Sequence, residues 1–248
     1  MAFNQNKIRR ANTRKLKQYE RFGIPIFLEA LKQQATPTPS IIPMQNAYVE
    51  FYQKVFVDAA KTEWNRIRVQ EKAFIPPDFF LNTWREWIRT WVIDNLYDLI
   101  SEVTATTLRK VEVVLADAIN RGLNPTQTQD LLVKEIGDVK RARAIARTES
   151  TRANNEGKKK SAQDYARETG QVLFKVWIWG GSREPRVEHF ELQNKPIRED
   201  QKFVGINGLL MDKPGDRSGG AINTVNCSCT VVYLSERLAR RRFPDAFN

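Results

Sequence analysis

Cysteine, histidine and long apolar runs are all scarce in this sequence. Only two cysteines occur in 248 residues, Cys227 and Cys229, and thiols one residue apart on an extended segment are poorly placed to close a disulfide. A reducing cytosol is the expected place of synthesis. No stretch of roughly 18 uncharged apolar residues occurs, because the most aromatic region, Phe79 to Leu99, is interrupted by Arg85, Glu86, Arg89, Asp94 and Asp98. That excludes a transmembrane helix, and no membrane partner is expected. The early cluster of Lys7, Arg9, Arg10, Arg14, Lys15 and Lys17 is followed by no apolar core or small-residue cleavage site, so it does not read as a secretory signal. Internal repeats and low-complexity tracts are absent too.

What is abundant is positive charge. Forty lysines and arginines against 29 acidic residues give a formal net charge of +11, more than solubility requires, which implies a polyanionic neighbour such as nucleic acid or an acidic protein surface. The competing reading is a solvated basic face, since the charges are spread over several segments and are not interleaved with aromatics as in a single-strand binder. If nucleic acid is the neighbour, the phosphate contacts are expected at Lys7, Arg9, Arg10, Arg14, Lys15 and Lys17, at Lys158, Lys159 and Lys160, and at Arg240, Arg241 and Arg242. The 41% hydrophobic content suffices for a real core in one large domain or two small ones.

Periodicity and punctuation predict mostly helix. Residues 3 to 22 read as a basic helix with a thin apolar stripe, stopped by Gly23. A short helical run from Pro25 to Ala35 meets a proline-rich linker, residues 36–43. From Gln45 to Lys72 apolar residues recur at three- and four-residue steps, ended by Ile75-Pro76-Pro77. Asp78 then caps a helix in which Trp84, Trp87, Ile88, Trp91, Val92, Asn95 and Leu99 share a face, with a break near Ser101 and a stop at Gly122. At helical spacing the tryptophans are read as packing. Asn124-Pro125 opens a helix through Ile136, and Asp138 a longer one toward Glu168 before Gly170. Only then do strands appear, at Val172 to Trp179 and Cys227 to Leu234, separated by a loop-rich stretch from Ser182 to Asn226. The expected class is α+β: a mainly helical amino-terminal half with long helices, then a small loop-rich α+β domain with a short antiparallel sheet. Residues 1–120 would form a helical docking region and 121–248 a second domain with a basic tail.

The second half carries an ordered set of short motifs: Arg141 through Arg147-Thr148-Glu149, then Ala153-Asn154-Asn155-Glu156-Gly157, Trp177-Ile178-Trp179, Arg186-Val187-Glu188-His189, Pro214-Gly215-Asp216 and Asn226-Cys227-Ser228-Cys229. In this order and spacing, over roughly residues 120 to 234, the chain resembles the phage Mu F-like head-morphogenesis family. It departs where Ser228 stands in place of the arginine common between the cysteines. The resemblance implies a structural minor head protein, not an enzyme, associated with the portal vertex and facing the capsid interior, in the host cytoplasm during assembly and then in the virion. Its implied partners are the portal protein, other head or capsid proteins and packaged double-stranded DNA held nonspecifically, in a role in head assembly, genome packaging or DNA ejection. The alternatives are a stand-alone basic DNA-binding protein and an ADP-ribosyltransferase-like enzyme. Members can carry fused toxin or enzyme domains; here the sequence runs only about 14 residues past its last strand, and no such cargo is expected.

Family-motif residues Arg147, Thr148, Glu149, Trp177, Arg186, His189, Asn226, Cys227 and Cys229 are expected to be structural. Arg147 and Glu149 are not automatically a pair, because Glu149 sits about 200° round the helix and is better placed to meet Thr148, Arg152 or Ala153. His189, Cys227 and Cys229 supply three ligand types that a structural zinc uses, with Asp200, Asp212 or Asp216 as a fourth. Against this stands the reading carried forward, in which no cofactor is bound, the cysteines are small buried apolar residues, and His189 hydrogen-bonds within the loops.

Overall fold

The computed structural model describes residues 4–71, 76–181 and 186–247. Helices α1 (Gln5–Gln33), α2 (Ile42–Glu71), α3 (Leu81–Asp94), α4 (Leu96–Asn120), α5 (Pro125–Ile136) and α6 (Val139–Thr169) come first. They are followed by β1 (Leu173–Ile178), α7 (Val187–Glu191), β2 (Ile197–Arg198), β3 (Phe203–Val204), β4 (Leu210–Met211), α8 (Gly220–Thr224), β5 (Thr230–Ser235) and α9 (Glu236–Arg242). The α+β class is as expected, with long helices first and a small antiparallel sheet after them.

Local chemistry sets the later helix ends. Gly122 ends α4 with a φ of +63°, and Asn124 opens α5 with a capping box: its side chain accepts from Gln127 N while the Gln127 side chain accepts from Asn124 N. The Asp138 carboxylate accepts from Lys140 N at the start of α6, and Gly170 follows that helix with a φ of +66°. Packing overrode other signals. Gly23 does not stop the first helix, which runs on through Pro25 to Gln33. A Cβ at Gly23 would lie 2.5 Å from the Phe51 ring, so the glycine permits a close helix contact and does not terminate anything. α2 begins at Ile42, inside the expected linker. The break in the tryptophan helix falls at Asn95, not near Ser101. Asp78 makes no cap and instead ion-pairs with Lys61 at 2.7 Å. The expected helix end at Lys72, the Ile75 stop signal and the loop start at Ser182 lie outside the described residues.

The chain divides into two compact units that are interleaved in sequence and do not follow a cut at residue 120: Met1–Tyr19, Lys54–Arg85 and Arg147–Asn248 form one, Glu20–Gln53 and Glu86–Ala146 the other. Within the second, Phe27 packs edge-on against Tyr48, and Tyr52 stacks on Trp91. The Tyr48 hydroxyl donates to Leu99 O at 3.0 Å. A satellite core of Ala35, Val111, Val114, Leu132 and Ile136 joins α4 to α5.

The first unit holds the sheet. Its order is β2-β1-β5, all antiparallel, and β1 pairs with β5 from Leu173↔Ser235 to Ile178↔Thr230. A separate hairpin pairs β3 with β4, Phe203 opposite Met211. Val176, Ile178, Val232, Leu234, Leu238 and Ala239 form the apolar core here. Trp64 and Trp84 are fully buried and meet Phe80 and Tyr165 in an aromatic cluster, and the Trp84 indole donates to the buried Asp164 carboxylate at 2.8 Å. The tryptophans are packing residues, as their spacing predicted.

Helix α6 crosses α2 at Gly157, where a Cβ would stand 2.3 Å from Phe56 O and 3.1 Å from Ala60 N. In a free helix alanine is favoured over glycine by about 1 kcal/mol. Gly157→Ala is nevertheless expected to destabilise the protein by about 1–3 kcal/mol, because the clash is with backbone; the midpoint of urea unfolding checks this.

Candidate functional site

The one histidine and both cysteines meet. His189 stands in α7, while Cys227 and Cys229 lie on the extended segment just before β5. The cysteines were expected inside the strand; the structure starts that strand one residue after them, so a strand face is not what aligns them. They converge through the loop: His189 Nδ1 is 3.7 Å from Cys227 Sγ and 3.8 Å from Cys229 Sγ. All three side chains are buried.

Asn223, in α8, decides which histidine nitrogen faces the sulfurs. Its Nδ2 donates to Gly219 O at 2.7 Å, and its Oδ1 accepts the Ile206 backbone N–H at 3.0 Å. The amide orientation is thereby fixed. Oδ1 is also 3.0 Å from His189 Nε2, and an oxygen acceptor requires that nitrogen to carry the proton. In that tautomer Nδ1 presents its bare lone pair to both thiols. Among the sulfurs, Cys227 receives the Cys229 backbone N–H at 3.5 Å. A hydrogen bond from Cys229 holds the Cys227 thiol well below the usual thiol range; the same bond, together with burial, pushes Cys229 up. One thiolate is thus favoured at the pair. Trp177 packs edge-on against the His189 ring at 5.0 Å. A cleft of about 250 Å³ reaches this group, lined also by Trp179, Arg186, Asn226 and Ser228.

None of the three aspartates expected as a fourth ligand joins the group. Asp212 is bound to Lys159 at 2.6 Å. Asp216 accepts from Asp212 N and Ser218 N, and Asp200 pairs with Arg198. Among the described residues, His189, Cys227 and Cys229 form the cluster with ligand atoms within 4.8 Å of one another.

The other motif residues hold this region in place. Glu149 does pair with Arg152, at 2.6 Å, and both are nearly buried. Thr148 Oγ1 accepts Asn226 N at 3.2 Å, and Arg186 donates to Val225 O at 2.7 Å. Asn226 has a φ of +56°. Arg147 is exposed on α6. Sequence reasoning gave no role to Asn155, yet its amide donates to Thr151 O, Pro214 O and Cys229 O and accepts from Val231 N and Thr230 Oγ1. Asn223 went unassigned as well. The available signal was a motif asparagine in a helix with no apolar stripe.

A family model described as phage Mu protein F like protein matches residues 109–232. The chain belongs to that family. It matches no curated protein and no solved structure. Membership in the Mu F-like family points to a phage head-morphogenesis protein, associated with the virion and with other head proteins. No described helix is long and apolar enough to cross a membrane.

The cations expected to meet phosphate separate into two groups. Arg9, Arg10 and Arg14 line a cleft of about 730 Å³ with Thr13, Trp179, Gly180 and Gly181, and the Arg9 guanidinium lies 5.5 Å from the Trp179 ring centre. Lys7, Lys17, Arg240, Arg241 and Arg242 are exposed, although Arg240 also pairs with Glu236. Lys15 pairs with Asp58, Lys159 with Asp212 and Lys160 with Asp164, each at 2.6 Å. Lys158 must be removed from the contact set. It is buried, and its Nζ donates to Thr230 Oγ1 at 2.6 Å.

Burial pushes the Lys158 ammonium down to about 8 from 10.5, against the pull of Glu63. Its charge therefore costs stability below about pH 8, and that cost fades as pH rises toward 10.5, where the unfolded chain also releases the proton. Lys158→Met is expected to gain about 1–3 kcal/mol at pH 7. The gain should shrink steadily from pH 8 to 10.5; urea unfolding of both proteins across that range tests it.

Proposed function

We propose that this Mu F-like chain is a structural minor head protein of a tailed bacteriophage, held at the portal vertex on the capsid interior, where it supports head assembly, genome packaging or DNA ejection. The match over residues 109–232 carries this reading. Docking on the portal or neighbouring head proteins falls to the helices of the first half. The half-buried Arg9 and the exposed Arg10 and Arg14 beside Trp179, with the exposed Arg241 and Arg242 on α9, supply a nonspecific phosphate contact with packaged DNA.

That same basic cleft favours a second reading, a stand-alone DNA-binding protein. The ADP-ribosyltransferase alternative gains no support, because Glu149, the carboxylate it would use, is buried and bound to Arg152.

Mixing the purified chain with the portal protein of its phage and following size exclusion with mass photometry separates the two readings. A defined complex that persists in about 1 M salt is expected, because docking through packed side chains is little screened, whereas phosphate contacts weaken steeply with salt. If no complex forms at any salt and the chain instead binds duplex DNA tightly, with affinity falling at least tenfold between about 50 and 200 mM salt, the portal assignment fails.

A further inference from the structure

We propose that His189 Nδ1, Cys227 Sγ and Cys229 Sγ bind one zinc ion at a structural site whose fourth position opens to solvent. The proposal goes beyond the head-protein reading and does not depend on it.

Geometry comes first. Zinc–sulfur bonds near 2.3 Å and zinc–nitrogen bonds near 2.0 Å at tetrahedral angles place nitrogen and sulfur about 3.6 Å apart. The two separations here are 3.7 and 3.8 Å, within a few tenths of an ångström of that requirement, and all three ligand atoms lie within 4.8 Å of one another. Two thiolates and an imidazole form a soft donor set that selects zinc over calcium or magnesium.

The surroundings are those of a ligand shell. Asn223, fixed by backbone partners, takes the Nε2 proton and aims the Nδ1 lone pair at the sulfurs; an outer partner of this kind is what sets a ligating histidine's tautomer and orientation. The Cys229 N–H donates to Cys227 Sγ, favouring thiolate there. The Trp177 indole N–H, on the ring that packs against His189, is buried with no hydrogen-bond partner among the described residues. An ion here would tie α7 to the Cys227–Cys229 segment across a region of very short elements and little apolar core, where a metal contributes most to folding. No described acidic side chain joins the cluster, which leaves the fourth position for water reached through the 250 Å³ cleft.

The competing arrangement is metal-free packing, with each thiol hydrogen-bonded to the imidazole. Metal analysis of the full chain, purified without chelator, distinguishes them. About one zinc per chain is expected, with loss of the metal on chelation lowering the melting temperature by about 5 °C or more and zinc restoring it. Cobalt added to the stripped protein should give the intense near-ultraviolet sulfur-to-metal absorption of a thiolate site. Cys229→Ser and His189→Ala should each abolish that band. Asn223→Ala should keep it but weaken zinc binding about tenfold or more in chelator competition. Because either ligand variant could fail to fold, the wild-type measurements stand alone. Zinc below about one tenth per chain, with no thermal shift on adding zinc to reduced protein, overturns the proposal. So does a cobalt spectrum without the thiolate band.

Discussion

Strand β5 lies at the edge of its sheet, and its outward backbone groups must be satisfied by something other than a strand. A buried peptide N–H without a partner costs about as much as a lost hydrogen bond at each position. Helix side chains meet the need. Asn155 in α6 accepts Val231 N, Glu63 in α2 accepts Tyr233 N at 2.9 Å, and Gln70 accepts Ser235 N. Arg66 donates to Tyr233 O while pairing with Glu63. The edge is thereby closed to further strands, which removes a template for aggregation, and it dictates that polar residues of α2 and α6 be buried.

That constraint explains the character of α6. Residues 149 to 158 are buried without interruption, yet they include Glu149, Ser150, Thr151, Arg152, Asn154, Asn155, Glu156 and Lys158. A helix of this composition gains little from apolar transfer, so its stability rests on each polar group finding its partner. Asn155 reaches the backbone of both Pro214 and Cys229, Thr151 donates to Cys227 O, and Lys213 pairs with Glu156 at 2.6 Å. The loop bearing the cysteines is therefore hung from α6, and the convergence of His189, Cys227 and Cys229 is a consequence of how the sheet edge is closed. A half-satisfied network of this kind would be worse than an apolar core, which accounts for a motif that fixes residue types over a whole turn of helix.

The legibility of the sequence follows the same division. Where structure is set by neighbours along the chain, residues such as Gly122, Asn124, Asp138 and Gly170 announced the helix ends, and the aromatic spacing announced the core of α3. Where it is set by distant partners, local rules misled. Gly23 resembles a stop signal, but its meaning is the Phe51 ring beside it. Glu63, Asn155 and Lys158 look like solvated positions because nothing nearby in sequence reveals the strand edge or the Thr230 hydroxyl they serve. The motif order identified the family and assembled the cysteines with the histidine; the partner that orients the ring, Asn223, lay in a stretch readable only as loop. The fourth-ligand aspartates were plausible by type and were already committed elsewhere: Asp212 to Lys159, Asp216 to backbone N–H groups and Asp200 to Arg198.

Charge divides along the same lines. Several of the acidic groups in the sheet-bearing unit are used internally: Asp58 with Lys15, Glu63 with Arg66, Glu149 with Arg152, Glu156 with Lys213, Asp164 with Lys160, Asp212 with Lys159. Each such pair removes one negative charge from the outside as well as one positive charge. The surplus of +11 is then carried by cations that are not spent in these pairs, among them Lys7, Arg10, Arg14, Lys17, Arg241 and Arg242, all exposed. A protein whose interior needs charged pairs to satisfy a polar helix, and whose outside is left positive, approaches a polyanion through long-range attraction without requiring sequence-specific contacts. Buried polar specificity and exterior nonspecific charge are in this way two results of one composition: the first fixes the fold around α6, and the second sets the kind of neighbour the folded protein can tolerate.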